Sequence, residues 1–114
     1  MNQTLAAVDI GTNTILLTIA RRWSDDRSLT VIKDEHSIAR LGQGVDSLRR
    51  IQEDAILRAE SILLKYKELC DSLAVDSIRA VGTSCLRDAA NRDEVCHRLS
   101  QTLGARVEVI SGDE

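Results

Sequence analysis

Two apolar runs, Leu5 to Val8 and Ile15 to Ala20, flank the stretch Asp9-Ile10-Gly11-Thr12-Asn13-Thr14. Two strands joined by a tight turn give that pattern, so residues 4–10 and 14–20 are predicted as a hairpin. Residues 21–27 are polar and read as a second turn. Residues 29–37 begin apolar and become polar, as an edge strand would. Gly42 and Gly44 then mark residues 38–46 as a loop. Leu48, Ile51, Ala55, Ala59, Ile62, Leu63, Tyr66 and Leu69 recur every three or four residues. They form one stripe on a helix of about six turns, capped by Asp46 or Ser47.

Residues 77–81 read as a fourth strand, ended by Gly82-Thr83-Ser84, and residues 85–90 as a turn of helix. Asn91 with Glu94 resembles a capping box, opening a helix that turns Val95, Leu99 and Leu103 inward. Gly104 suits the position just past that helix. Residues 106–110 read as a fifth strand, followed by Ser111-Gly112-Asp113-Glu114. The order β-β-β-α-β-α-β predicts an α/β domain with a mixed five-stranded sheet, antiparallel first and parallel later. If strands one, four and five run parallel, three small-polar loops converge on the sheet rim where such folds bind ligands.

The chemistry sits in two of those loops. Gly11 is expected to allow backbone angles closed to other residues and to leave room for a ligand. Free N–H groups of the turn, with the Thr12, Asn13 and Thr14 side chains, can hold a phosphate without a lysine. Asp9 is placed for a metal ion or a water. A plain hairpin tip uses the same residue types, so the turn alone leaves both readings open. Arg87 lies one short helical turn past the second loop, from where its guanidinium could grip a phosphate through two N–H bonds. Taken alone it is more simply a surface ion pair with Asp88 or a nearby acid. Asn91 has an equally plain role as a helix cap. Arg92 lies one position beyond the spacing from Cys85 that a cysteine phosphatase needs, so Cys85 is read as a packing residue.

Composition narrows the classes. The chain is 43% apolar and 29% charged, ordinary for one soluble globular domain, and the scarcity of aromatics leaves the core to Leu, Ile, Val and Ala. A formal charge of −3 without a basic stripe argues against nucleic acid as a partner. Cys70, Cys85 and Cys96 are odd in number and lack C-x-x-C spacing, which argues against disulfides and structural zinc. Without a signal peptide or long apolar run, no membrane association and a cytoplasmic location are expected.

Four segments, V-D-I-G-T-N-T, A-R-L-G-Q-G-V-D, G-T-S-C-L-R-D-A-A-N and V-I-S-G-D-E, together resemble the N-terminal part of the exopolyphosphatase/guanosine pentaphosphate phosphohydrolase family. That family belongs to the actin-like, sugar-kinase-like superfamily. The resemblance covers nearly the whole chain and implies a ribonuclease-H-like half-domain over residues 1–114, one wall of a cleft whose other half-domain is missing here. It implies that Gly11, Thr12, Asn13 and Thr14 form the first phosphate-binding loop, that Asp9 is a magnesium contact, and that Arg87 binds phosphate. Glu114 matches the first of two paired glutamates; the second, usually credited as the base, would be the next residue. The implied reaction is hydrolysis of terminal phosphates of polyphosphate or of guanosine pentaphosphate, with Mg2+ as cofactor. On this reading the chain alone has little or no turnover. Two alternatives remain: a half-domain of an ATP-dependent phosphotransferase of the same superfamily, or a non-catalytic module that binds phosphate-rich ligands such as guanosine tetraphosphate, or that self-associates, for instance as a homodimer.

Overall fold

The computed structural model describes residues 2–26, 28–45 and 49–110. The two apolar runs and the segment after the second turn form the first three strands: β1 (Gln3–Ile10), β2 (Thr14–Arg22) and β3 (Leu29–Ile38). They are followed by α1 (Glu53–Ser72), β4 (Ser77–Gly82), a short α2 (Ser84–Asp88), α3 (Arg92–Leu103) and β5 (Val107–Val109). The sheet order is β3-β2-β1-β4-β5. β1 pairs antiparallel with β2 and parallel with β4, and β4 pairs parallel with β5. The mixed sheet and the rim shared by strands one, four and five are therefore present as expected. Ile10 lies beside Gly82, and Gly82 beside Val109.

One face of the sheet is dry. Ala6, Val8 and Ile10 of β1, Ile15, Leu17 and Ile19 of β2, and Ala80 of β4 are all buried. Against them pack Ala55, Ile56, Ala59 and Leu63 of α1 and Val95, Leu99 and Leu103 of α3. Fully burying each large aliphatic side chain contributes about 1.5–3 kcal/mol. The period-two pattern leaves Ala7, Asp9 and Leu16 exposed on the opposite face. β3 is the edge strand anticipated, with Leu29, Val31 and Ile38 each more than half exposed. Tyr66 ties α1 to the sheet: its hydroxyl donates to the Ile15 carbonyl at 2.7 Å and pairs with the Ser37 hydroxyl at 3.1 Å. Burial raises its pKa.

One helix start and one cap differ from expectation. α1 begins at Glu53, so Ile51 is a buried residue of the preceding segment rather than the first rung of the stripe. Arg49 has φ +60°, a left-handed conformation that no right-handed helix continues through. Glu53 and Asp54 in the first turn suit the positive end of the helix. The proposed caps Asp46 and Ser47, and Leu48 of the stripe, lie outside the described residues, as does the final segment Ser111 to Glu114. At α3, Asn91 occupies the cap position, yet its side chain makes no capping bond. That amide is used elsewhere, as described below. Gly104 ends α3 with φ +76°, as a left-handed cap requires.

Candidate functional site

The turn after β1 is organised by its carbonyls. Asn13 O accepts from Ala39 N at 2.9 Å and Arg40 N at 3.0 Å, and Thr12 O accepts from Gly42 N at 3.1 Å. The loop after β3 thus docks on one side of the hairpin tip. In a trans peptide the N–H points opposite to the C=O, so the Asn13 N–H is directed away from that loop. Among the described residues, no acceptor takes the Thr12 or Asn13 N–H. The Gly11 N–H is occupied, donating to Thr14 O at 3.0 Å. Nor does Gly11 adopt a left-handed angle. The glycine is needed for closeness, because a Cβ there would stand 3.0 Å from the Thr14 carbonyl.

Arg58 of α1 holds the docked loop from behind. Its Nε donates to Ala39 O at 2.8 Å, and Nη2 to Arg40 O at 3.2 Å and to Gln43 Oε1 at 3.0 Å. Gly42 sits where this loop meets the tip, and a Cβ on it would lie 2.7 Å from Thr12 Cγ2.

The second loop reaches the same rim through the parallel pairing of β1 and β4. Thr83 N donates to Ile10 O at 3.2 Å, and the hydroxyls of Thr12 and Ser84 stand 3.2 Å apart. Between the two loops opens a cleft of about 610 Å³. Thr12, Ser84, Asp88 and Arg49 give it polar walls, and Val45, Ile51 and Ala89 an apolar part. A smaller hollow of about 290 Å³ lies beside Asn13, Arg40 and Gln43, again sharing Thr12 and Gly42. Cys85 also lines the larger cleft, but burial and the nearby Asp88 raise its thiol pKa, which suits a packing role rather than a nucleophile.

The remaining expected residues are placed as follows. Thr14 is the first residue of β2 and faces Ile38 across the ladder. Arg87 is in α2, its N–H bonded to Thr83 O at 2.9 Å. Its guanidinium pairs with Asp88 at 3.4 Å and is not among the groups lining the cleft. Asp9 is exposed on the uncovered face, beside Leu16 and Val81 in the register. Among the described residues, no three His, Cys, Asp or Glu side chains cluster to hold a metal. A magnesium ion bound through one carboxylate, with phosphate oxygens and waters completing its shell, is compatible with that donor set. Glu114 lies outside the described residues.

Two features were missed. The Asn91 side chain accepts from Ile51 N at 2.9 Å and donates back to Ile51 O at 3.0 Å. Arg49, whose carbonyl accepts from Ala90 N at 2.8 Å, belongs to the cleft wall. No local pattern marks either role, since both arise from contacts about 40 residues apart.

The model of the Ppx/GppA phosphatase family matches residues 18–114. Exopolyphosphatase 2 of Mycobacterium tuberculosis is 38% identical over 96% of this chain, which spans only 37% of that protein. The crystal structure of the Aquifex aeolicus Ppx/GppA family member superposes with a TM-score of 0.90 at 35% identity, over 98% of this chain and 36% of that one. An exopolyphosphatase structure from Cytophaga hutchinsonii gives a TM-score of 0.89 at 33% identity, over 97% of this chain and 35% of that one. The matched portion falls in the N-terminal half of such proteins. With its motifs, sheet topology and rim in agreement, the chain belongs to the Ppx/GppA phosphatase family.

Proposed function

We propose that this chain is the phosphate-binding N-terminal half-domain of a hydrolase acting on terminal phosphoanhydride bonds, with inorganic polyphosphate as the first substrate and guanosine pentaphosphate as the second. The observation that carries the proposal is the meeting of two loops at one rim. The Thr12 and Ser84 hydroxyls stand 3.2 Å apart there, and the Thr12 and Asn13 N–H groups have no acceptor among the described residues. Such a donor cluster complements phosphate oxygens. The name of the mycobacterial relative supports polyphosphate as the ligand class.

In the proposed reaction, water attacks the terminal phosphorus, and the bridging P–O bond breaks toward the remaining chain. Gly11, Thr12, Asn13 and Thr14 orient the phosphates through backbone and hydroxyl donors. Arg87 exchanges Asp88 for a phosphate oxygen and offsets charge developing on the leaving group. Magnesium, when bound at Asp9, supplies further charge neutralisation. In sequence, Glu114 immediately precedes the position expected to orient the water. Proximity and exclusion of water require a second wall, so this chain by itself is expected to bind far better than it turns over.

Calorimetric titration of the purified protein with tripolyphosphate, against orthophosphate as control, tests the reading. Saturable binding weakened about tenfold by Arg87→Ala is expected. No heat with tripolyphosphate overturns it. Rapid phosphate release from polyphosphate by this chain, abolished by Arg87→Ala, would overturn the expected lack of turnover.

A further inference from the structure

We infer that Arg49 is a second anion-binding group of the larger cleft, taking the phosphates that follow the one held by the hairpin tip, and that Asn91 is the positioning residue that holds it there. The inference rests on the phosphate-chain reading given above. Arg49 lines the same cleft as Thr12 and Ser84. At about 610 Å³ that cleft is of a size that takes multi-atom ligands, well beyond a single phosphate.

The charges favour an anion at this place. Asp88, the carboxylate on the cleft wall, has Arg87 beside it, so Arg49 and Arg87 together exceed it by one charge whichever of them meets the ligand. Among the described residues no carboxylate pairs with Arg49. Among the described residues, Arg49 is therefore a cation of that wall without an acid partner, in a protein whose formal charge is −3.

The backbone supports the same assignment. Arg49 is held at φ +60°, which disfavours any residue with a Cβ. Three hydrogen bonds impose that conformation from outside: Ala90 N to Arg49 O, and the two between the Asn91 amide and Ile51. Glycine would meet the backbone demand without strain. An arginine at a position shaped for glycine marks its side chain as the reason for the residue.

Titration of the purified protein with tripolyphosphate, run beside thermal melts, tests the inference. Arg49→Gly removes the cation and relieves the backbone, so affinity falls about tenfold while the melting temperature holds or rises. Arg49→Lys keeps part of the affinity, and Arg50→Ala, one residue along, leaves it within about twofold. Asn91→Ala weakens binding in the wild-type background and costs no further affinity in the Arg49→Gly background. Unchanged affinity in Arg49→Gly, or an equal loss in Arg50→Ala, overturns the role of Arg49. A further loss on adding Asn91→Ala to Arg49→Gly overturns the role of Asn91. If wild-type protein binds no tripolyphosphate at all, the phosphate-chain reading itself fails, an outcome distinct from wild-type binding with indifferent variants.

Discussion

Gly42 and Thr12 meet so closely that a Cβ on Gly42 would stand 2.7 Å from Thr12 Cγ2. With the Gly42 N–H bonded to Thr12 O at 3.1 Å, the close approach seats the loop after β3 against the hairpin tip. Gly42→Ala is expected to destabilise the fold by about 1–3 kcal/mol through overpacking. Adding Thr12→Ser removes the opposing methyl and keeps the hydroxyl, so most of the loss should be recovered. Urea midpoints of the two single variants and the double variant check this.

Arg58 spends its guanidinium on carbonyls rather than on an acid. Its pair with Asp54 is loose, at 3.5 Å, whereas its bond to Ala39 O is 2.8 Å. Arg58→Met, which keeps the aliphatic stem, should loosen the loop while leaving the sheet intact. Amide exchange at Ala39, Arg40 and Gly42, the donors to the hairpin tip, is expected to speed up by at least tenfold. Exchange at Leu17 and Val8 should not change.

Asp88 competes with the proposed ligand twice, by holding Arg87 and by placing a negative charge on the cleft wall. Asp88→Asn should therefore tighten tripolyphosphate binding by about threefold to tenfold. The gain should shrink as salt is raised. Weaker binding in this variant would assign the carboxylate a supporting role instead.

Arg98 joins α3 to α1 through Glu53, with bonds of 2.8 Å from each terminal nitrogen, and through Glu60 at 2.9 Å. The hydrogen bonds from Arg98 hold the Glu53 carboxyl below its usual pKa. A group depressed in the folded state stabilises above its unfolded pKa and stops doing so as pH falls through the folded one. Stability should thus decline on acidification below about pH 4.3. Glu53→Gln should flatten that decline in denaturant midpoints taken between neutral and acid pH.

The first two strands were legible because apolar runs at Leu5 to Val8 and Ile15 to Ala20 flank a short polar turn, a pattern that a hairpin satisfies. The stripe through Ala55, Ala59, Leu63 and Tyr66 was equally plain. What could not be read locally was set by distant partners. Asn91 followed by Glu94 looks like a cap, yet Ile51 offers its side chain two backbone bonds at once. The start of α1 was displaced because Arg49 is pinned in a left-handed turn by Ala90. At Gly11 the expected left-handed angle is not used, while a Cβ there would stand 3.0 Å from the Thr14 carbonyl oxygen.

The hydroxyls that meet at the rim come from positions 72 residues apart. Closing a chain segment of that length costs about 4 kcal/mol of entropy, so neither loop alone can assemble the two-walled cleft in advance. Any anion that settles there senses only molecules whose β1 and β4 have already joined. Ligand occupancy is consequently coupled to cooperative folding of the whole sheet, and its strength can be read from the rise in melting temperature with added ligand.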